Sequence, residues 1–310
     1  MQSILRRSAV LAVAALLASC GGGGQGPAAT TAQSLSVVTT FLPITAFTRA
    51  VAGDCATVQA LIPTNVGPHD FQATPTDLAR LQKADVLVKN GLGLEEFLGK
   101  LIASAGNAKL RVIDSSAGIA TLANPEEKGH DHGHDHGAIN PHIWLDPLRA
   151  VQQVETIRDG LIVAKPTCKQ QFTANAAAFT SELRALDAEL AAQLQPFAGK
   201  TFVAFHDFAP YFAERYGLKV DFLVDVPEDN PTPADLQRVA KEVKATDLKA
   251  LLSEPQEGSR SFNALAQDLG VKVSVFDPLE TGSEEAAKQP GTYADTLRRN
   301  VKDLVDAFGG

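Results

Sequence analysis

The sequence predicts an α/β protein of two lobes, each with a parallel sheet, joined by one long rigid helix. Three observations carry that expectation. Short apolar runs recur along the chain, helical patterns separate them, and the stretch 169–195 between the two sets contains neither Gly nor Pro.

Runs at 35–39, 57–62, 86–90 and 111–114 predict the strands of the first lobe. Runs at 201–205, 219–223, 250–253 and 272–276 predict those of the second. Most are continuous rather than alternating, the pattern of parallel strands covered on both faces. Helical patterns at 76–83 and 94–105 fall in the first half, and at 233–244 and 261–268 in the second, as crossovers of α/β units would. Within 169–195, Phe172, Ala176, Phe179, Leu183, Leu186, Leu190 and Leu194 alternate steps of three and four. That is one amphipathic helix of about 27 residues, roughly 40 Å long. It is too short, and too poor in regular flanking charge pairs, for a coiled-coil dimer. It reads as a strut between two lobes of a monomer, bracketed by Pro166 and Pro196, and restricts wide hinge closure.

The chain has 310 residues, 45% apolar and 21% charged, an ordinary globular composition with room for two domains. Lys and Arg total 28 against 36 Asp and Glu, a net charge of −8. Without a basic cluster to break that acidic balance, nucleic acid is excluded as a partner.

Residues 1–19 read as a signal peptide: Arg6 and Arg7 precede an apolar run of about ten residues, too short to span a bilayer. Leu17-Ala18-Ser19-Cys20 resembles a bacterial lipobox, which makes Cys20 the lipidated first residue of the mature chain. Residues 20–33, opening with Gly21 to Gly24, form a flexible tether to the membrane. The folded body then divides into a lobe at 34–165, the linking helix region at 166–197 and a lobe at 198–310. Cys55 and Cys168 remain. They are 113 positions apart with no framework pattern and no CxxC, and are expected as buried free thiols.

The seven histidines direct the functional reading. His130, His132, His134 and His136 lie in the acidic, Gly-rich tract 126–137, which cannot bury a core and suits a weak accessory metal site. Deleting 126–137 should lower the number of metal ions bound per chain; an unchanged stoichiometry would remove that role. The other three are His69 after a strand, His142 in a turn-rich stretch, and His206 at the end of the strand 201–205. Ligands of open α/β sheets collect beyond the carboxyl ends of strands. Asp277, directly after the strand 272–276, is the candidate fourth donor. Three imidazoles and a carboxylate form a tetrahedral N3O set suited to Zn²⁺. Manganese prefers more oxygen, and copper(I) would want sulfur, yet the chain has a single Met.

These residues match a family. The chain resembles the zinc/manganese solute-binding proteins of bacterial ABC importers, in their zinc-type branch. The resemblance rests on Gly67-Pro68-His69-Asp70-Phe71 with Pro75-Thr76-Asp77, and above all on Asn140-Pro141-His142-Ile143-Trp144-Leu145-Asp146-Pro147. Phe205-His206-Asp207 with Tyr211-Phe212, Ser253-Glu254-Pro255-Gln256 and Asp277-Pro278-Leu279 complete it. It implies two (β/α)4 lobes with the metal in the cleft between them. It also implies His69, His142, His206 and Asp277 as ligands, and an ABC permease as partner. Manganese-type relatives tend to carry Glu at the third-ligand position, where this chain has His206. Pro68 stands where some zinc-type relatives have an acidic residue, which leaves Asp277 or a water as the fourth donor. Glu254 reads as a hydrogen-bonding or ion-pairing group that shapes the cleft, for instance toward Arg260, and Trp144 as cleft-wall packing. Asp70, Asp146 and Asp207 are candidates for fixing imidazole tautomers. The function implied is a lipid-anchored zinc receptor. A manganese or iron receptor, a surface adhesin and a zinc hydrolase are the rivals; the last is disfavoured because no HExxH or nucleophile elbow is present.

Overall fold

Residues 34–124, 139–224, 231–255 and 259–309 are described by the structure, a computed structural model. The first half runs β1 (Leu35–Thr39), α1 (Leu42–Ala52), β2 (Ala56–Ala60), α2 (Pro75–Lys83), β3 (Val86–Lys89), α3 (Phe97–Ala105) and β4 (Arg111–Asp114). Two helices follow, α4 (Pro147–Ala164) and α5 (Lys169–Leu194). The second half runs β5 (Thr201–His206), α6 (Pro210–Arg215), β6 (Lys219–Val224), α7 (Pro233–Thr246), β7 (Ala250–Ser253), α8 (Ser259–Leu269) and β8 (Lys272–Val275). It closes with α9 (Glu284–Lys288) and α10 (Thr292–Ala307).

Both sheets have four parallel strands, ordered β2-β1-β3-β4 and β6-β5-β7-β8. The central strands are buried nearly throughout, whereas edge strands such as β2 and β8 keep exposed positions. In each sheet the winding reverses between the two central strands, and a crevice opens there beyond their carboxyl ends. Both the first and the second sheet present such a crevice, β1 beside β3 and β5 beside β7.

Local chemistry sets the helix starts. Thr74 and Thr232 each cap a helix that opens with Pro, and Asp77 and Asp235 return the bond from the third position. Such reciprocal boxes satisfy donors that the first turn leaves orphaned. The predicted strut is α5, 26 residues long. It buries Phe172, Ala176, Leu183, Leu186, Leu190 and Leu194 and packs along α4, α1 and α10.

One expectation is overturned here. Cys55 and Cys168 are bonded to each other as a disulfide, not free. Cys55 ends the turn after α1, and Cys168 ends the turn that enters α5. Because α1 packs on α5, the two Cα atoms stand 6.3 Å apart across 113 residues of chain, well inside bridging range.

Among the described residues no helix is long and apolar enough to cross a membrane. Cys20, with the signal and tether segments, and the four histidines of the tract 126–137 lie outside the described residues.

Candidate metal centre

Four segments carry the site. His69 sits in the turn-rich stretch between β2 and α2, and His142 immediately precedes the short turn Ile143–Leu145 that leads to α4. His206 is the last residue of β5, and Glu280 lies beyond β8. All four offer a donor atom, and these atoms lie within 4.8 Å of one another. Nε2 of His142 is 3.3 Å from Nε2 of His69 and 3.4 Å from Nε2 of His206. Oε1 of Glu280 is 3.2 Å from His69, 3.2 Å from His142 and 3.7 Å from His206. The side chains of His142, His206 and Glu280 are almost wholly buried, while that of His69 is 19% exposed.

Two rings are pinned from behind. Nδ1 of His142 is 2.9 Å from Oδ1 of Asn140, and Nδ1 of His206 is 2.5 Å from Oε1 of Glu254. An amide oxygen and a carboxylate accept, so each Nδ1 carries a proton and each Nε2 is the atom turned to the centre. The tautomer-fixing contacts expected of Asp70, Asp146 or Asp207 thus fall to Asn140 and Glu254. Asp146 instead caps α4 through Leu148 N–H and pairs with Arg149. Glu254 does hydrogen-bond in the cleft, at the end of β7 beside β5, but its partner is His206; the side chain of Arg260 lies outside the described residues. Trp144 is fully buried, stacks edge-on against Phe41 and donates Nε1–H to Pro278 O at 2.8 Å, in keeping with a packing role.

Asp277 is the one expected donor that the structure does not bring into the cluster. Its Oδ1 accepts the N–H of Leu279 at 2.8 Å, and its backbone is tied to the Asn300 side chain on both sides. Asp in an Asp-Pro-x turn spends its carboxylate on the turn itself. Leu279 follows with φ at +64°, a left-handed conformation that a bulky residue rarely adopts. That kink turns the next side chain inward, and Glu280 takes the position expected of Asp277. The available signal was a second carboxylate three residues on, in Asp277-Pro278-Leu279-Glu280.

Burial disfavours charge on His142, His206 and Glu280, and attraction between opposite charges counters it. For Glu280, His69 and His206 outweigh burial and hold the carboxyl well below the usual carboxylate range. For His206, burial is outweighed by Glu254 and Glu280, which raise the imidazole well above its ordinary value. His142 goes the other way: burial lowers it despite Glu280 beside it. The centre is a compact pocket with one firmly ionised carboxylate and three convergent imidazole nitrogens, an arrangement that suits a small divalent cation.

Comparison with known proteins bears on the same residues. The model of the family ZnuA, zinc-uptake complex component A, periplasmic, matches residues 37–307. This chain belongs to the ZnuA family. It is 31% identical over 299 residues to the high-affinity zinc uptake system protein ZnuA of Bacillus subtilis, covering 94% of each. It is 34% identical over 275 residues to the zinc-binding lipoprotein AdcA of Streptococcus pneumoniae, covering 87% of this chain and 55% of AdcA. The chain therefore spans about half the length of that relative. The solved structure of the Zn(II)-bound ZnuA-like domain of Streptococcus pneumoniae AdcA matches with a TM-score of 0.75 at 31% identity. That match covers 90% of this chain and 100% of the domain. The ZnuA match takes in both sheets, α5 and all four members of the His–Glu cluster, so the resemblance read from the motifs holds.

Proposed function

We propose that this protein is an extracytoplasmic zinc receptor that hands Zn²⁺ to an ABC-type metal importer, with His69, His142, His206 and Glu280 as the ligands. The donor spacing carries the reading. A tetrahedral zinc site with bonds near 2.0–2.1 Å has ligand–ligand edges of about 3.3 Å; five of the six edges here run from 3.2 to 3.7 Å, and all six lie within 4.8 Å. An N3O set favours zinc over manganese or iron, which take more oxygen. A carboxylate at the fourth vertex, where a hydrolytic zinc site keeps water, supports a receptor rather than an enzyme. The zinc-binding and zinc-uptake names of the pneumococcal and Bacillus relatives agree. The lipobox at Cys20, with a relative named as a lipoprotein, supports a lipid anchor at the membrane face where a permease partner sits. The receptor works as a monomer.

Competitive titration and elemental analysis of the mature domain test this: one tightly held zinc per chain is expected, with manganese displaced. Preference for manganese, or no tight ion, overturns it. The fourth ligand is tested separately. Glu280→Gln should weaken zinc by about 10²-fold, one ligand's share of a site of this kind. Asp277→Asn, which acts only through the turn, should cost less; equal losses, or a larger loss at position 277, would reinstate Asp277.

Protons compete with the ion. His206 holds a proton to higher pH than a free imidazole, so zinc must displace it at neutral pH. Release on binding means that affinity rises with pH; because His206 keeps its proton well above the ordinary imidazole range, the weakening sets in above that range as pH falls. Calorimetry at pH 7 in buffers of different ionisation enthalpy should read net proton release; uptake would contradict the assignment.

A further inference from the structure

Asn140 is fully buried, and its carboxamide uses both ends. Oδ1 accepts from the backbone N–H of His142 at 3.1 Å and from its Nδ1–H at 2.9 Å. Nδ2 donates to the backbone carbonyl of Asp207, the residue after His206, at 2.8 Å, and more distantly to the Asp207 carboxylate at 3.4 Å. The backbone carbonyl of Asn140 accepts from Tyr211 Oη on α6 at 2.7 Å. From the other side, Asn90 Nδ2 at the end of β3 donates to Pro141 O at 2.9 Å. Asn90 is itself held: its N–H donates to buried Glu95 at 2.7 Å, and Gln153 donates to its Oδ1 at 3.0 Å. The amide has one workable orientation. Exchanging its oxygen and nitrogen would set a donor against the His142 N–H groups and an acceptor against a carbonyl.

We infer that Asn140 is a positioning residue which fixes the His142 and His206 loops relative to each other and thereby sets the zinc affinity of the site. The carboxamide bonds one imidazole directly and the peptide beside the other, so the 3.4 Å spacing of the two Nε2 atoms passes through it. This rests on the zinc assignment above and adds to it a residue that touches no ion. Groups that orient metal-ligating imidazoles typically alter affinity by 10- to 100-fold when removed.

The test compares wild type, Asn140→Ala, Asn140→Asp and His142→Ala by competitive zinc titration and by visible absorption after cobalt(II) loading. Asn140→Ala should keep one zinc per chain, lose about 10- to 100-fold in affinity and give a weaker, shifted four-coordinate cobalt band. Asn140→Asp retains the acceptor for His142 but sets an oxygen against the Asp207 carbonyl; it should fall between wild type and Asn140→Ala. An unchanged affinity and cobalt band in Asn140→Ala, alongside zinc loss in His142→Ala, overturns the inference and leaves the zinc site standing. Absence of tight zinc in wild type overturns both. Should Asn140→Ala not fold, proton NMR of wild type decides: a slowly exchanging Nδ1 proton on His142 is required, and rapid exchange there overturns the assignment.

Discussion

Alanine at position 142 removes tight zinc binding while the fold survives. The His142 ring is 1% exposed, and its Nε2 lies within 3.4 Å of the other three donors. An apparent zinc free energy of about 10–16 kcal/mol spread over four ligands is roughly 3 kcal/mol each, or on the order of 10²-fold in affinity. The measured loss should reach or exceed that, because the ring also supplies the contact through which Asn140 orients the site. Competitive titration reads the affinity, and circular dichroism checks that the chain stays folded. Full-affinity binding in the variant would move the site elsewhere.

The second large effect concerns stability. Replacing Cys55 and Cys168 with serine opens a covalent loop of 113 residues. In the chain-entropy model a loop of about 100 residues is worth about 4.7 kcal/mol, which for a chain near this size lowers Tm by about 10 °C. Reduction of the native protein should produce the same fall in thermal unfolding. Neither cysteine is a member of the donor cluster, so one zinc per chain should persist in the double variant. A Tm within 2 °C of the parent, a shift of only about 1 kcal/mol, would show that contact between α1 and α5 holds the junction unaided.

How far the sequence discloses this molecule depends on whether the cue is local. The strands 111–114 and 250–253 and the start of α5 at Lys169 coincide with expectation. Continuous apolar runs and unbroken helical periodicity are written into the segment itself. The three histidines outside the acidic tract stood out by composition alone, and the structure brings their rings together. Glu280 did not stand out. Its inward aim comes from the left-handed backbone of Leu279, and the carboxylate that looked available, Asp277, is consumed by its own turn. Asn140 and Glu254 as ring-orienting partners are likewise products of tertiary approach, since Glu254 meets His206 across 48 residues. The disulfide was hidden for the same reason: nothing near either cysteine announces that α1 lies against α5.

The four donors do not face water equally, with His69 at 19% exposure and the others at 4% or less. That asymmetry gives the site a door. Of the four donors, the His69 imidazole is the one that solvent or an added chelator reaches directly. The other three, two imidazoles and a carboxylate, form a buried floor beneath it.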